Sequence, residues 1–334
     1  MNKSEIISGL EKLGVYLATE SDELKAAVDK ACYENQWFSE ESCNQSLNYW
    51  STELSDPALN EFSKDYKWND WSKTVVVIMA GNIPLVGMHD LMVSLLCGCK
   101  CRIKTSSEDN ALVSHVIDKL IQFLPELGSH IELIDKLEGK QDAVIATGSN
   151  NSYRYFQYYF KDTPHVLRKN RKSIAVLNGN ESEEELKELA HDIFEYYGLG
   201  CRNVSLIALP KGSDITKVID AFGSYNHLIH HNRYANNYTY HKALFLMNKQ
   251  DHLDNGFVLL KESLDLFAPL GCVFYCYYNQ LSDIEEFVEK EAENIQCVVG
   301  KIDNLCNVQF GHSQRPNLQD FADDINTMRF LSEL

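Results

Sequence analysis

The stretch Lys73-Thr-Val-Val-Val-Ile-Met-Ala-Gly-Asn-Ile-Pro84 runs from an unbroken apolar segment straight into a glycine and an asparagine. Residues 74–80 are rich in β-branched side chains and show no polar alternation, which predicts a strand buried on both faces, as in a parallel sheet. Gly81-Asn82-Ile83-Pro84 then reads as a turn into a helix over 84–96, because proline suits a first helical turn. Moving outward, strands are expected at 101–104, 131–134, 143–147 and 173–177, with helices at 110–124 and 151–160. This alternation predicts a doubly wound α/β sheet. Upstream, residues 4–17 and 22–35 carry apolar side chains at helical spacing, and tryptophans at 37, 50, 68 and 71 follow, so this part is expected to cap the sheet.

Downstream, Ser182-Glu-Glu-Glu185 is a capping box, and apolar residues from Leu186 to Tyr197 keep helical spacing until Gly198 stops the run. Strands at 204–209, 244–247, 272–278 and 295–299 and helices at 214–222 and 282–291 complete a second α/β pattern. The expected organisation is a helical cap with a nucleotide-binding domain over 1–178, a cysteine-bearing catalytic domain over 179–318, and a C-terminal helix, about 318–331, packing back.

The chain has 334 residues, of which 44% are hydrophobic, enough for a large core and two domains. Thirty-one basic against 48 acidic side chains give a net charge of −17, which repels phosphate backbones and argues against a nucleic-acid partner. Residues 1–13 lack the basic end and apolar run of a signal peptide, and the longest apolar stretch, 85–97, is broken by His89, Asp90 and Ser94. With ten cysteines and no secretory signal, the expectation is a cytoplasmic protein with reduced thiols and no membrane span.

No Gly-x-Gly-x-x-Gly follows a strand and no Gly-Lys-Ser/Thr loop occurs, so a dinucleotide would bind by other means. Two turns are candidates: Gly81-Asn82-Ile83-Pro84, and Thr147-Gly148-Ser149 before a helix whose N-terminus can face a pyrophosphate. Taken singly, each reads equally well as an ordinary capped turn. In a doubly wound sheet both fall at the carboxyl edge, where ligands bind. Cys201, in Gly198-Leu-Gly-Cys-Arg-Asn203, stands apart from the other cysteines because glycines and a helix end leave its sulfur accessible. An ordinary thiol, with a pKa of about 8.5, needs only modest help from a cation or dipole to act as nucleophile, and Arg202 or backbone donors are candidates for that help. Cys97, Cys99 and Cys101 are spaced too closely for the usual zinc loops and read as core, while His227, His230, His231 and His241 read as a polar helix face, so no metal is assigned.

Asn82 in Gly-Asn-Ile-Pro, Lys104 in Ile-Lys-Thr-Ser-Ser, Thr147-Gly148-Ser149, Cys201 and Asp265-Leu-Phe-Ala-Pro269 occur in an order that resembles the aldehyde dehydrogenase superfamily. The resemblance is closest to its acyl-CoA reductase branch, the LuxC-like fatty acid reductases, which Phe310-Gly-His-Ser-Gln-Arg-Pro316 and Asp320-Phe-Ala-Asp-Asp324 also resemble. It covers about residues 73–330. It implies Cys201 as nucleophile, with the Asn82 amide and the Cys201 backbone N–H as oxyanion donors. It also implies Lys104 and Ser107 at the adenosine ribose, Thr147, Gly148 and Ser149 at the pyrophosphate, and Asp265 and Phe267 at the nicotinamide end. Asp265 stands where the family more often has Glu.

The activity so implied is reduction of an acyl-CoA, or an acyl-carrier thioester, to an aldehyde. The alternatives are an acylating aldehyde dehydrogenase working oxidatively on a short aldehyde, and a non-catalytic nucleotide-binding subunit. Hydrolytic relatives carry a Glu in Glu-Leu-Gly-Gly-Lys that activates water; the matching stretch here is Arg168-Lys-Asn-Arg-Lys172, which favours thioester reduction. These basic residues are expected to attract a phosphorylated substrate or cofactor. Ser107, where NAD-preferring relatives have Glu, points to NADPH over NADH, with Glu108 opposing that preference. The resemblance implies a homodimer, although the sequence carries no clear β-hairpin arm.

Overall fold

Val75 and Val77 are buried in one apolar cluster and Val76 and Ile78 in another, so the strand that carries them is covered on both faces. That is the reason for its unbroken apolar run. The computed structural model describes residues 1–334, which form two units, residues 1–170 with 317–334, and residues 171–316.

The first unit begins with four helices, α1 (Lys3–Leu17), α2 (Asp22–Glu34), α3 (Glu40–Glu53) and α4 (Asp56–Ser63). It continues through β1 (Lys73–Ile78), α5 (Met88–Leu96), β2 (Cys99–Lys104), α6 (Asn110–Phe123), β3 (Ile131–Leu133), β4 (Ala143–Thr147), α7 (Asn150–Tyr159) and β5 (His165–Arg168). All five strands are parallel, in the order β3-β2-β1-β4-β5. The N-terminal helices share the apolar cluster of α5 and α6 through Ile6, Leu10, Leu13, Leu47 and Trp50, so they complete one face of the core. Cys97, Cys99 and Cys101 are buried in the same cluster.

The second unit contains β6 (Lys172–Val176), α8 (Glu183–Phe194), β7 (Val204–Pro210), α9 (Ile215–Ala221), α10 (Asn232–Met247), β8 (Leu253–Asp254), β9 (Leu259–Glu262), β10 (Cys272–Tyr278), α11 (Leu281–Lys290) and β11 (Ile295–Gly300). Its sheet runs β11-β6-β7-β10-β9-β8, parallel except for the short β8–β9 pair. The capping box predicted at Ser182 and Glu185 opens α8.

Several expected elements differ. The strand near 173–177, read with the first sheet, is β6 of the second, because its partners are β7 and β11. The strand expected at 244–247 is the last turn of α10, a short apolar run that periodicity cannot assign. Helix α5 starts at Met88 rather than Pro84, since Leu85 takes a left-handed backbone with φ 56°. Near the C-terminus, Asp323 and Asp324 are also left-handed, so only α12 (Thr327–Ser332) is α-helical there. It joins the first unit, where the Asn69 amide donates to Leu331 O at 2.8 Å. No helix is long and apolar enough to cross a membrane.

Candidate active site

In the first sheet β1 lies between β2 and β4, and the connections from β1 and β4 leave in opposite directions across the sheet order. A doubly wound sheet opens a crevice at such a point, outside the carboxyl ends of its strands. Asn82 follows β1, Lys104 ends β2 with Ser107 three residues on, and Thr147 ends β4, leading to Gly148 and Ser149. The structure thus gathers these six predicted residues on one edge of three neighbouring strands. Asn82 and Lys104 are half-buried, and Ser107 and Ser149 are exposed.

The 81–85 loop is gripped from three elements. The Asn35 amide at the end of α2 donates to Gly81 O at 3.3 Å, the Ser46 hydroxyl on α3 donates to Pro84 O at 2.8 Å, and Asp109 Oδ2 accepts the Leu85 N–H at 2.7 Å. All three side chains belong to buried residues. A side chain at Gly81 would press on Ser106, with a Cβ only 2.6 Å from its Cβ and Oγ, so the loop can pass there only as glycine. Asp109 Oδ1 is buried without a hydrogen-bond partner, and burial pushes this carboxyl up to about 8.

Ser149 caps α7 by accepting the Ser152 N–H at 3.2 Å. Behind it, Arg168 at the end of β5 is buried and donates to Asp90 Oδ2 at 2.6 Å, with a longer contact to Thr147 Oγ1 at 3.4 Å. Three of the four basic residues at 168–172 are engaged within the protein. Arg168 is in a buried ion pair, Arg171 donates to Ile295 O at 3.2 Å, and Lys172 donates to two backbone carbonyls.

In the second unit, Cys201 lies in the turn between α8 and β7. Tyr196, Tyr197 and Gly198 are successive left-handed residues, which sharply redirects the chain after α8. The Asn203 side chain organises the rest of the turn. Its Oδ1 accepts the Gly200 N–H at 2.7 Å, and its Nδ2 donates to Ile193 O at 3.1 Å and Glu195 O at 2.9 Å, satisfying carbonyls at the α8 end. Asn203 is fully buried. Lys172 Nζ donates to Gly198 O at 2.8 Å and Gly200 O at 3.3 Å, and Ser173 Oγ donates to Cys201 O at 3.2 Å. Three polar side chains therefore set the backbone on either side of the sulfur.

Cys201 is half-buried, whereas seven of the ten cysteines are buried outright. Burial raises the thiol pKa of each of the other nine, Cys272 to about 12 and Cys297 to about 11 among them. A raised pKa and poor access make a thiol inert. Asp265 and Phe267 also lie in this unit, exposed, in a tight turn in which Asp265 Oδ1 accepts the Phe267 N–H at 2.9 Å. Sequence reading missed Asn35, Ser46, Asp109 and Asn203, and gave Lys172, within the basic stretch 168–172, a different role. Only Asn203, two residues past Cys201 in a glycine-rich turn, carried a local signal.

A family model described as acyl-CoA reductase (LuxC) matches residues 35–217, more than half of the chain. A long-chain acyl-protein thioester reductase of Aliivibrio fischeri is 28% identical over 142 residues, covering 38% of this chain and 29% of that relative. Among solved structures, the P. syringae indole-3-acetaldehyde dehydrogenase, in complex with NAD+, gives a TM-score of 0.69 at 13% identity over 91% of this chain and 73% of that one. An acetylating aldehyde dehydrogenase from Geobacillus thermoglucosidasius gives 0.64 at 10% identity, over 96% and 84%. The fold is aldehyde dehydrogenase-like.

Proposed function

Because the chain belongs to the acyl-CoA reductase (LuxC) family, we propose that it reduces an acyl thioester to an aldehyde through a covalent acyl group on Cys201. The observation that carries this reading is the Cys201 turn: a half-buried cysteine on a backbone braced by Lys172, Ser173 and Asn203, in a chain whose other nine thiols are all raised in pKa by burial. In this scheme Cys201 Sγ attacks the thioester carbonyl carbon, and the Asn82 amide and the Cys201 N–H donate to the oxygen that becomes negative. The carbon–sulfur bond to CoA or to a carrier protein then breaks, and the acyl group stays on Cys201. When bound, a nicotinamide cofactor supplies the hydride that reduces this group, and the resulting thiohemiacetal releases the aldehyde and the Cys201 thiol. Arg168, held by Asp90, leaves no carboxylate at the position where hydrolytic relatives activate water, which preserves the acyl group for reduction.

The first unit's carboxyl edge fits such a cofactor. The α7 N-terminus points backbone N–H groups at this edge, exposed Ser149 and Ser107 add hydroxyls, and half-buried Lys104 adds a cation. Lys104 would take the ribose, Gly148 and Ser149 the pyrophosphate, and Asp265 and Phe267 the nicotinamide end. Uncharged Ser107 favours NADPH.

Incubation with acyl-CoAs of increasing chain length and NADPH or NADH tests the proposal through nucleotide absorbance, aldehyde yield and intact mass. The expected result is an acyl adduct on Cys201, loss of both adduct and aldehyde in Cys201→Ala, and transfer of preference toward NADH in Ser107→Glu. A Cys201→Ala protein that keeps most of its rate overturns the scheme.

A further inference from the structure

Lys172 is the second residue of the unit that carries Cys201, and it would be expected to send its ammonium into solvent. Instead the side chain turns inward from the first residue of β6 and donates to Gly198 O and Gly200 O. Gly200 immediately precedes Cys201, so the cation is anchored one peptide from the nucleophile and within electrostatic reach of it. We propose that this anchored ammonium is the cation that holds Cys201 as a thiolate, making Lys172 a positioning and charge-supplying residue for the nucleophile. The inference rests on the reading of Cys201 as nucleophile.

An ammonium removed from water is costly unless polar groups and an anion surround it. Here burial lowers the Lys172 pKa to about 8, two carbonyl oxygens face the charge, and the Cys201 sulfur, when ionised, raises the Lys172 pKa again. Coupling between two titrating groups is mutual, so an anion that favours the ammonium is favoured by it to the same degree. A lysine also suits this place better than an arginine would, because a compact point charge can sit against two closely spaced carbonyls.

Arg202, Asp192 and Cys297 are further charged or titrating groups in this neighbourhood. Arg202 lowers the pKa of Cys297, and Asp192 raises it. Cys297 itself, on β11, is buried, has its thiol raised to about 11 and shares Ser173 Oγ at 3.1 Å, so at neutral pH it is an uncharged neighbour. The Asp192 carboxylate is turned toward the Gly311 and Ser313 N–H groups, at 2.7 and 2.8 Å.

The test is the pH dependence of Cys201 alkylation by iodoacetamide, followed by peptide mass from about pH 6 to about pH 10, in the full chain without substrate. The wild type should show a midpoint below the ordinary thiol value of about 8.5. Lys172→Gln keeps an amide donor for the two carbonyls but removes the charge, and should raise the midpoint so that alkylation near neutral pH slows about tenfold, a shift of about one unit. Lys172→Arg should restore most of the lost reactivity. An unchanged midpoint in a Lys172→Gln protein with a normal melting curve overturns the proposal, and so does a wild-type midpoint at or above about 8.5, which needs no variant to fold. If Cys201 alkylates as expected and yet never accepts an acyl group from any thioester, the thioester reading fails while the lysine–cysteine pairing stands.

Discussion

The two turns on which the proposed chemistry depends are built in opposite ways. The 81–85 loop is held by residues far off in sequence, Asn35 on one side and Ser46 and Asp109 on others, each reaching it from a different helix or helix end. The Cys201 turn is held by Asn203, which lies within it, and by Lys172 and Ser173 on the next strand of its own sheet. The first takes its braces from α2, α3 and the start of α6, whereas the second takes them from α8, β6 and β7. Helices α2 and α3 therefore brace the 81–85 loop as well as cover the sheet.

The largest effect should come from removing the local organiser. Asn203→Ala leaves the Gly200 N–H and several α8 carbonyls without partners in a fully buried place, and should cost roughly 3 to 5 kcal/mol in denaturant unfolding. A loss under about 1 kcal/mol would mean that the turn holds itself. Asn82→Ala should leave folding nearly unchanged and remove roughly 2–4 kcal/mol of transition-state stabilisation, read as kcat. If it alters only stability, the loop is structural.

Asp109 sharpens the contrast through pH. Its carboxyl ionises near about 3.9 when unfolded and near about 8 when folded. The folded state therefore holds this proton more tightly, so the stability that Asp109 contributes is full below about pH 4 and is lost as pH rises toward about 8. Asp109→Asn retains an acceptor for Leu85 and cannot ionise, so thermal melting should lose that fall and gain several degrees at pH 8. The smallest effect is Ser46→Ala, about 1 kcal/mol from one buried hydrogen bond, accompanied by a drop in kcat if the brace on Pro84 sets the Asn82 position.

The sheet elements were legible because both faces of β1 and β4 are buried and because capping residues mark helix ends, as at Ser182. Less legible were the short strands β5, β8 and β9 and the last turn of α10, where four apolar residues fit either period. Pro84 misled for a physical reason: its fixed φ suits a helix start, but the Asp109 contact to Leu85 holds the chain in a left-handed turn first.

By itself the sequence determined the α/β class, the glycine turns and the singular setting of Cys201, since these follow from periodicity, backbone freedom and local side-chain size. Only the tertiary structure decided that β6 belongs with the second sheet, that Arg168 is locked to Asp90, and that Lys172 turns inward beside Cys201. Those outcomes rest on hydrogen bonds and charge pairs between residues distant along the chain. A burial pattern tells how much of a side chain leaves water, whereas its partner is chosen only when the elements pack.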